Sequence, residues 1–206
     1  GKNDNHRANI RFNDTYKFTD KISLTSQVAY ARQEQIAPTE IGAALNIGSM
    51  PQPGLPMRAL NGKPYAWGTW GSPVAKVEEG GDNKLSVSNI SINEVFNYDI
   101  TSWLSMNVSL GYQNNFAQRN TTSNSITYYN ITGEKTTLTN PLAANSYYNQ
   151  TQSRKDYVSA SGYFNAHKKW LDAHNTSLTI GAQYEYEQYN YFGVQAKAIQ
   201  PGLEIV

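Results

Sequence analysis

The chain has 206 residues, a formal net charge of +1 and no cysteine. Charged residues are 16% of the chain, which is low against the ~25% usual for soluble domains. A balance so close to neutral argues against a nucleic-acid binder, because such proteins need a basic face to displace counterions. The missing cysteines exclude a disulfide scaffold and a thiolate metal site, and no apolar run is long enough for a transmembrane helix.

Alternation of apolar and polar residues begins near the N-terminus and predicts strands. From Ala8 onward the even positions are mainly apolar and the odd positions are polar. A short polar turn follows at residues 19–21, and the alternation resumes from Ile22. Two alternating runs around a tight polar turn predict a β-hairpin over about residues 7–31.

The same unit recurs at about residues 85–114 and 156–191, with turns at 99–103 and 167–175. Each return strand begins with an aliphatic residue and has a tyrosine on the same face eight residues later, as in Ile22 and Tyr30, Leu104 and Tyr112, and Leu178 and Tyr186. Eight residues at ~3.3 Å, tilted by ~40°, rise roughly 20 Å, close to the ~25 Å apolar band of outer-membrane barrels. The repeat therefore predicts antiparallel membrane-spanning strands in an all-β fold.

Alternation also assigns the side chains to faces. The residues predicted to face lipid are Ile22, Leu24, Val28, Leu104, Met106, Val108, Leu110, Leu178 and Ile180. The residues predicted to face the lumen are Gln27, Asn107, Ser109 and Gln183. Two acids, Asp14 and Glu94, fall on the lipid-facing side, where a charge is costly. Either a β-bulge shifts the register there, or these strand ends lie beyond the bilayer.

Long segments separate the hairpins, at about residues 33–84, 115–155 and 192–206. The first is rich in proline and glycine, and the second in Asn, Thr, Ser and Tyr. Structureless loops beyond ~12–15 residues are uncommon in compact soluble domains, whereas short periplasmic turns and long extracellular loops are typical of outer-membrane barrels. We therefore expect these segments to be extracellular loops and the short turns to lie on the periplasmic side.

Four phrases of the first long loop and the strand after it occur in an order that is diagnostic of a family: Ser49-Met50-Pro51, Asn61-Gly62-Lys63-Pro64-Tyr65, Gly71-Ser72-Pro73-Val74-Ala75 and Gly80-Gly81-Asp82-Asn83-Lys84. With the hairpins, they resemble the barrel of a SusC/RagA-type TonB-dependent transporter of a Gram-negative outer membrane. The resemblance covers essentially the whole chain. It implies a 22-stranded barrel with an N-terminal plug domain. We find about six strands and no plug, so we expect a fragment of a larger polypeptide, since even the smallest barrels need ~8 strands.

The resemblance also implies a function. Such a transporter takes up oligosaccharides or peptides together with a SusD-like surface lipoprotein, and the TonB complex supplies energy through the plug. The residues present here would form barrel wall, in contact with outer-membrane lipid, and external loops. No cofactor and no nucleic-acid partner is implied.

Candidate site residues are few. Tyr65, Trp67 and Trp70 lie among glycines and prolines in the first long loop, where aromatic faces can stack on sugar rings or pack against peptides. The alternative is that they pack on neighbouring loops or on the barrel rim. His167 and His174 flank one predicted turn without a carboxylate cluster, so we predict no metal site. Without a nucleophile elbow or a phosphate-binding loop, we predict no catalytic residue and no enzyme.

Two other architectures remain open from the sequence. A secreted β-sandwich that binds glycans through Trp67 and Trp70 would also show alternating strands. A small general porin would require residues 120–150 to supply two more strands.

Overall fold

The computed structural model describes residues 3–49, 54–136, 146–170 and 174–197. In chain order the elements are β1 (Asp4–Thr19), β2 (Ile22–Pro38), α1 (Ile41–Gly48), a 3₁₀ turn (Gly68–Trp70), α2 (Pro73–Glu78), β3 (Asp82–Asp99), β4 (Leu104–Ser123), β5 (Tyr128–Tyr129), β6 (Lys135–Thr136), β7 (Tyr147–Trp170) and β8 (His174–Lys197).

The six long strands form one sheet in the order β1-β2-β3-β4-β7-β8, and every neighbouring pair is antiparallel. This confirms the prediction of an all-β fold with six strands arranged as hairpins. The strands have 16 to 24 residues, whereas strands of globular proteins have ~5–6. No helix in the described segments is long and apolar enough to cross a membrane.

The register joins side chains of alternate residues into rows that run across the sheet. One apolar row consists of Phe12, Val28, Ile92, Tyr112, Val158 and Tyr186. The adjacent row projects from the other face and consists of Asn13, Gln27, Asn93, Gly111, Ser159 and Glu185. One face of the sheet, the apolar face, thus carries the even-numbered residues of the ladder, and the polar face carries the odd-numbered ones.

None of the described segments covers the apolar face. Ile10 is 71% exposed, Phe12 59% and Ile180 63%. All the residues predicted to face lipid lie on this face, and all those predicted to face the lumen lie on the polar face. The arrangement of the two faces is therefore as the alternation predicts, while contact with lipid remains a prediction.

Neither alternative architecture finds support among the residues described. A sandwich needs two facing sheets, but the second sheet here is only the β5–β6 pair, with two residues in each strand. These two short strands lie apart from the six-stranded sheet. They therefore add nothing to the wall that a small porin would need.

Exposure differs between the faces in β2. From Val28 to Ile36 the even residues of the apolar face are exposed, whereas the odd residues of the polar face, Ala29 to Gln35, are partly buried. In β4 the order is reversed between residues 112 and 116, where the odd residues are exposed and the even ones are partly buried.

The two acids on the apolar face are not moved by a bulge. The β1–β2 register is continuous from Asp4 to Lys17, and the β2–β3 register is continuous around Glu94. Asp14, Ser26 and Glu94 share one row, with apolar rows on both sides. The Ser26 hydroxyl donates a hydrogen bond to Glu94 Oε2. The bulge explanation is therefore wrong at both positions. Each acid lies five residues before the end of its strand, and the position of these ends beyond the bilayer stays a prediction.

The predicted loops are shorter than expected because the strands are longer. β2 continues to Pro38 and β4 to Ser123, while β7 already begins at Tyr147. The connecting segments are thus residues 39–81 and 124–146. Residues 192–197 belong to β8, and the remainder of the third predicted loop, 198–206, lies outside the described residues.

Short turns lie at one end of the sheet and the long segments at the other. In the β1–β2 turn, Thr19 Oγ1 accepts hydrogen bonds from the backbone N–H groups of Lys21 and Ile22, at 3.2 and 3.1 Å. Thr101 Oγ1 does the same for Trp103 and Leu104 in the β3–β4 turn. At the third turn β7 continues to residue 170 and β8 begins at residue 174, so the predicted span 167–175 is mostly strand.

Candidate functional site

The described residues of segments 39–81 and 124–136 pack together into what we call the loop layer. Its centre is a small apolar cluster of Ala66, Ala75 and Tyr128, against which Ile126 packs. Ala66 N–H donates to the Tyr129 carbonyl at 2.9 Å, and Tyr65 forms an isolated parallel bridge with Tyr129. The two segments, distant in sequence, therefore form one structural unit.

The Asn61-Gly62 phrase forms a turn that links the segments. Gly62 has a φ of +80°, in the left-handed region that favours glycine. Beside it, the Asn61 side chain donates to the Gly133 carbonyl at 2.9 Å, and Leu60 N–H donates to the Ile131 carbonyl at 3.1 Å. This motif thus serves the assembly of the loop layer.

The Ser72-Pro73-Val74-Ala75 phrase starts α2. The Ser72 side chain caps the helix by accepting a hydrogen bond from Ala75 N–H at 3.3 Å, and Pro73 occupies the first helical turn, where its missing N–H costs nothing. Ser72 and Ala75 are both fully buried. Lys76 of the same helix forms an ion pair with Glu40 at 3.2 Å.

The loop layer is fastened to the sheet at the ends of β2, β3 and β4. Thr39 N–H donates to the Gly81 carbonyl at 3.0 Å, and Thr39 Oγ1 donates to the Thr122 carbonyl at 2.6 Å. Asp82 N–H donates to Thr122 Oγ1 at 2.9 Å. Gly81 has a φ of +97°, and a Cβ there would collide with the Thr122 carbonyl. Only glycine fits this junction without strain.

The three predicted ligand-contacting aromatics differ in accessibility. Trp67 is 7% exposed, and its indole N–H donates to the Pro56 carbonyl at 2.9 Å. Tyr65 is partly buried against the second segment. Trp70 is 58% exposed at the end of the 3₁₀ turn. The packing alternative thus describes Trp67, and Trp70 is the most exposed of the three aromatics.

A tight turn holds Trp70 outward. Trp67 N–H donates to the Gly71 carbonyl at 2.8 Å, which closes the loop around the 3₁₀ turn. Gly71 has a φ of +83°, and a Cβ there would lie 2.9 Å from the ring of Tyr128. Burial, with the negative charges of Glu40 and Glu79, raises the pKa of Tyr128 above its usual value. Tyr128 therefore stays neutral beneath the turn.

An apolar groove of about 390 Å³ lies between α1 and α2. Leu45 and Met57 on its walls are 66% and 48% exposed. At its rim the guanidinium of Arg58 forms an ion pair with Glu78 at 2.5 Å. The loop layer therefore presents both an aromatic ring and an apolar groove to solvent.

The histidines do not come together. His167 projects from the polar face and His174 from the apolar face of the sheet, while His6 contacts Asp4 at 2.7 Å. Within the described ranges no group of three or more His, Cys, Asp or Glu side chains could hold a metal ion.

Comparisons with known proteins give no identification. No protein-family model matches the chain, and no curated protein matches it either. The functional argument therefore depends on the architecture of the sheet and the loop layer.

Proposed function

We propose that this chain forms part of the wall and external mouth of an outer-membrane importer of the SusC/RagA type, which takes up oligosaccharides or peptides. The observation that carries the proposal is the sheet of 16- to 24-residue strands with one uncovered apolar face and one polar face. An apolar face of this kind is unfavourable in water and favourable in lipid. The interior backbone groups of the wall are already paired along the ladders, so placing them in lipid leaves no hydrogen bond unsatisfied.

The loop layer supports the same proposal. It lies at one end of the strands, opposite the short turns, as extracellular loops do in outer-membrane barrels. Its exposed apolar side chains offer a surface on which a SusD-like lipoprotein can pack, and Trp70 can stack on a ligand. The TonB complex would supply energy through the plug domain that the resemblance implies.

Fractionation of the native cells tests the localisation. We expect the protein in the outer-membrane fraction, released by detergent and not by salt. Recovery in the aqueous periplasmic or secreted fraction would contradict the proposal.

Labelling of whole cells tests the orientation. Because the chain has no cysteine, the single variants Lys63→Cys and Lys21→Cys each provide one thiol, at the loop layer and at the β1–β2 turn. A membrane-impermeant maleimide should label the first in intact cells and the second only after the membrane is opened. Labelling of Lys21→Cys alone in intact cells would show that the orientation is opposite to the one proposed.

A further inference from the structure

The polar face of β1 to β4 has an unbalanced charge. Its cations are Arg7, Arg11, Lys17 and Arg119, and its acid is Asp99, at the turn end. None of these four cations forms an ion pair or a side-chain hydrogen bond within the part of the chain that the structure describes. By contrast, Lys155 of β7, on the same face, is neutralised by Glu187 at 2.9 Å.

Amides are the largest group among the remaining positions on this part of the face. They include Asn9, Asn13, Gln27, Gln33, Asn89, Asn93, Asn97, Asn107, Gln113 and Asn115. No aromatic side chain projects from the polar face of these four strands. The apolar side chains on this part of the face are Leu85, Val87, Val95 and four alanines. None of the three larger ones lines the cavity beside Arg11, so hydrogen bonds and charge dominate the contacts open to a ligand there.

A cavity of about 250 Å³ opens beside Arg11. It exists because Ala29 and Ser91, the next residues in the row of Arg11, are small. The other polar side chains that line it are Asn13, Gln27 and Asn93. One row away, Asn89 Oδ1 is buried and has no hydrogen-bond partner among the described residues.

The chemistry of this cavity fits an acidic sugar. A guanidinium binds a carboxylate or a sulfate through two parallel hydrogen bonds. Amide side chains both donate and accept, which matches hydroxyl groups, since these also do both. A peptide would bring apolar side chains to a cavity whose lining, apart from Val28 and Ala29, is polar.

We propose that the cavity beside Arg11 binds the acidic group of an oligosaccharide, and that the surrounding face makes the importer selective for acidic oligosaccharides over neutral ones and over peptides. This inference rests on the proposed function, because it takes the polar face to be the lumen. Arg11 binds the acid, and the neighbouring amides bind the ring hydroxyls.

Titration calorimetry on the protein purified from its native source in detergent tests the proposal. The probes are a galacturonic acid tetramer, its neutral methyl ester, a sulfated tetrasaccharide and a tetrapeptide. We expect the acid tetramer to bind about tenfold to a hundredfold more tightly than its methyl ester, since hydrogen bonds to charged groups are among the stronger ones. The sulfated probe shows whether carboxylate or sulfate is the preferred acidic group.

Variants assign the effect to the cavity. Arg11→Gln should remove the preference for acid over ester. Arg11→Lys keeps the charge but loses the two parallel N–H donors of the guanidinium, so it should retain part of the preference. Arg32→Gln is the matched control, because Arg32 projects from the apolar face of the neighbouring strand. Equal binding of acid and ester, tighter binding of the peptide, or an unchanged preference in Arg11→Gln would each overturn the proposal.

The two proposals fail in different ways. Outer-membrane localisation with uptake of neutral sugars or peptides would support the importer proposal and contradict the proposed selectivity for acids. Recovery of the protein in an aqueous fraction would remove both.

Discussion

Apolar side chains are exposed over one face of the sheet, whereas the loop layer buries some of its own and leaves others, such as Leu45 and Trp70, exposed. Ile10 and Ile180 are 71% and 63% exposed on the apolar face, whereas Trp67 and Ala75 are 7% and 0% exposed in the loop layer. The loop layer therefore contributes its own small core in water. The sheet is held by backbone ladders, and under the proposed function the side chains of its apolar face contact lipid. On that proposal the loop layer is stabilised in water and the sheet in a bilayer, and single substitutions test the two regions separately.

The largest effect is expected at Trp67. Trp67→Ala removes a buried indole and its hydrogen bond to the Pro56 carbonyl, which should destabilise the loop layer by about 3–5 kcal/mol. Limited proteolysis should then cut within segments 39–81 and 124–146 while the strands stay protected. Equal loss of protection in the strands would show that the two regions do not unfold independently.

A charge at the middle of the apolar face should cost nearly as much. Leu110 is 54% exposed there, and Leu110→Lys should destabilise the protein in a bilayer by about 2–4 kcal/mol. Ser109→Lys is the matched control, because the adjacent residue projects from the polar face. The measurement is urea unfolding in lipid vesicles. If Leu110→Lys is no worse than Ser109→Lys, the apolar face does not contact lipid.

The junction between the two regions should show a smaller effect. Gly81→Ala forces a left-handed backbone on alanine and a contact with the Thr122 carbonyl, at a cost of about 1–3 kcal/mol. Gly42→Ala is the control, since a Cβ there meets nothing within 4 Å and the residue lies in α1. Thermal unfolding should show a lower midpoint for the first variant and an unchanged or higher one for the second.

The smallest effect is expected at Trp70, and it concerns binding. Trp70→Ala removes an exposed ring, so stability should change little, while a stacked ligand should lose about 0.5–1.5 kcal/mol, roughly a three- to twelvefold loss of affinity. Uptake normalised to surface protein measures this. Unchanged normalised uptake would leave Trp70 without a role in ligand contact.

The sequence predicts the sheet well where its two faces differ. Between Ile22 and Tyr30 one face is apolar and the other polar, so the alternation is visible. Further along, both faces become polar: Gln118 pairs with Gln152 on one face, and Arg119 pairs with Thr151 on the other. The alternation signal disappears there although the ladder continues. This is why the sequence predicts a loop from residue 115, although residues 115–123 are strand in the structure.

Local patterns do not distinguish the loop aromatics. Trp67 and Trp70 lie three residues apart in the same glycine-rich phrase, yet one is buried and the other exposed. What separates them is the packing of residues 65–75 against Tyr128 and Tyr129, more than fifty residues away in sequence. Such contacts between distant segments leave no periodic trace in the chain.

In the described sheet, β1 and β8 each pair with one neighbour, and the other side of each strand carries backbone N–H and C=O groups without a ladder partner. In β8, with 24 residues, about twelve residues direct these groups away from β7. An open edge of this length is a template for strand addition. Under the proposed function another strand of the barrel would pair with this edge, while in aqueous solution a second copy of the chain would dock on it and begin aggregation.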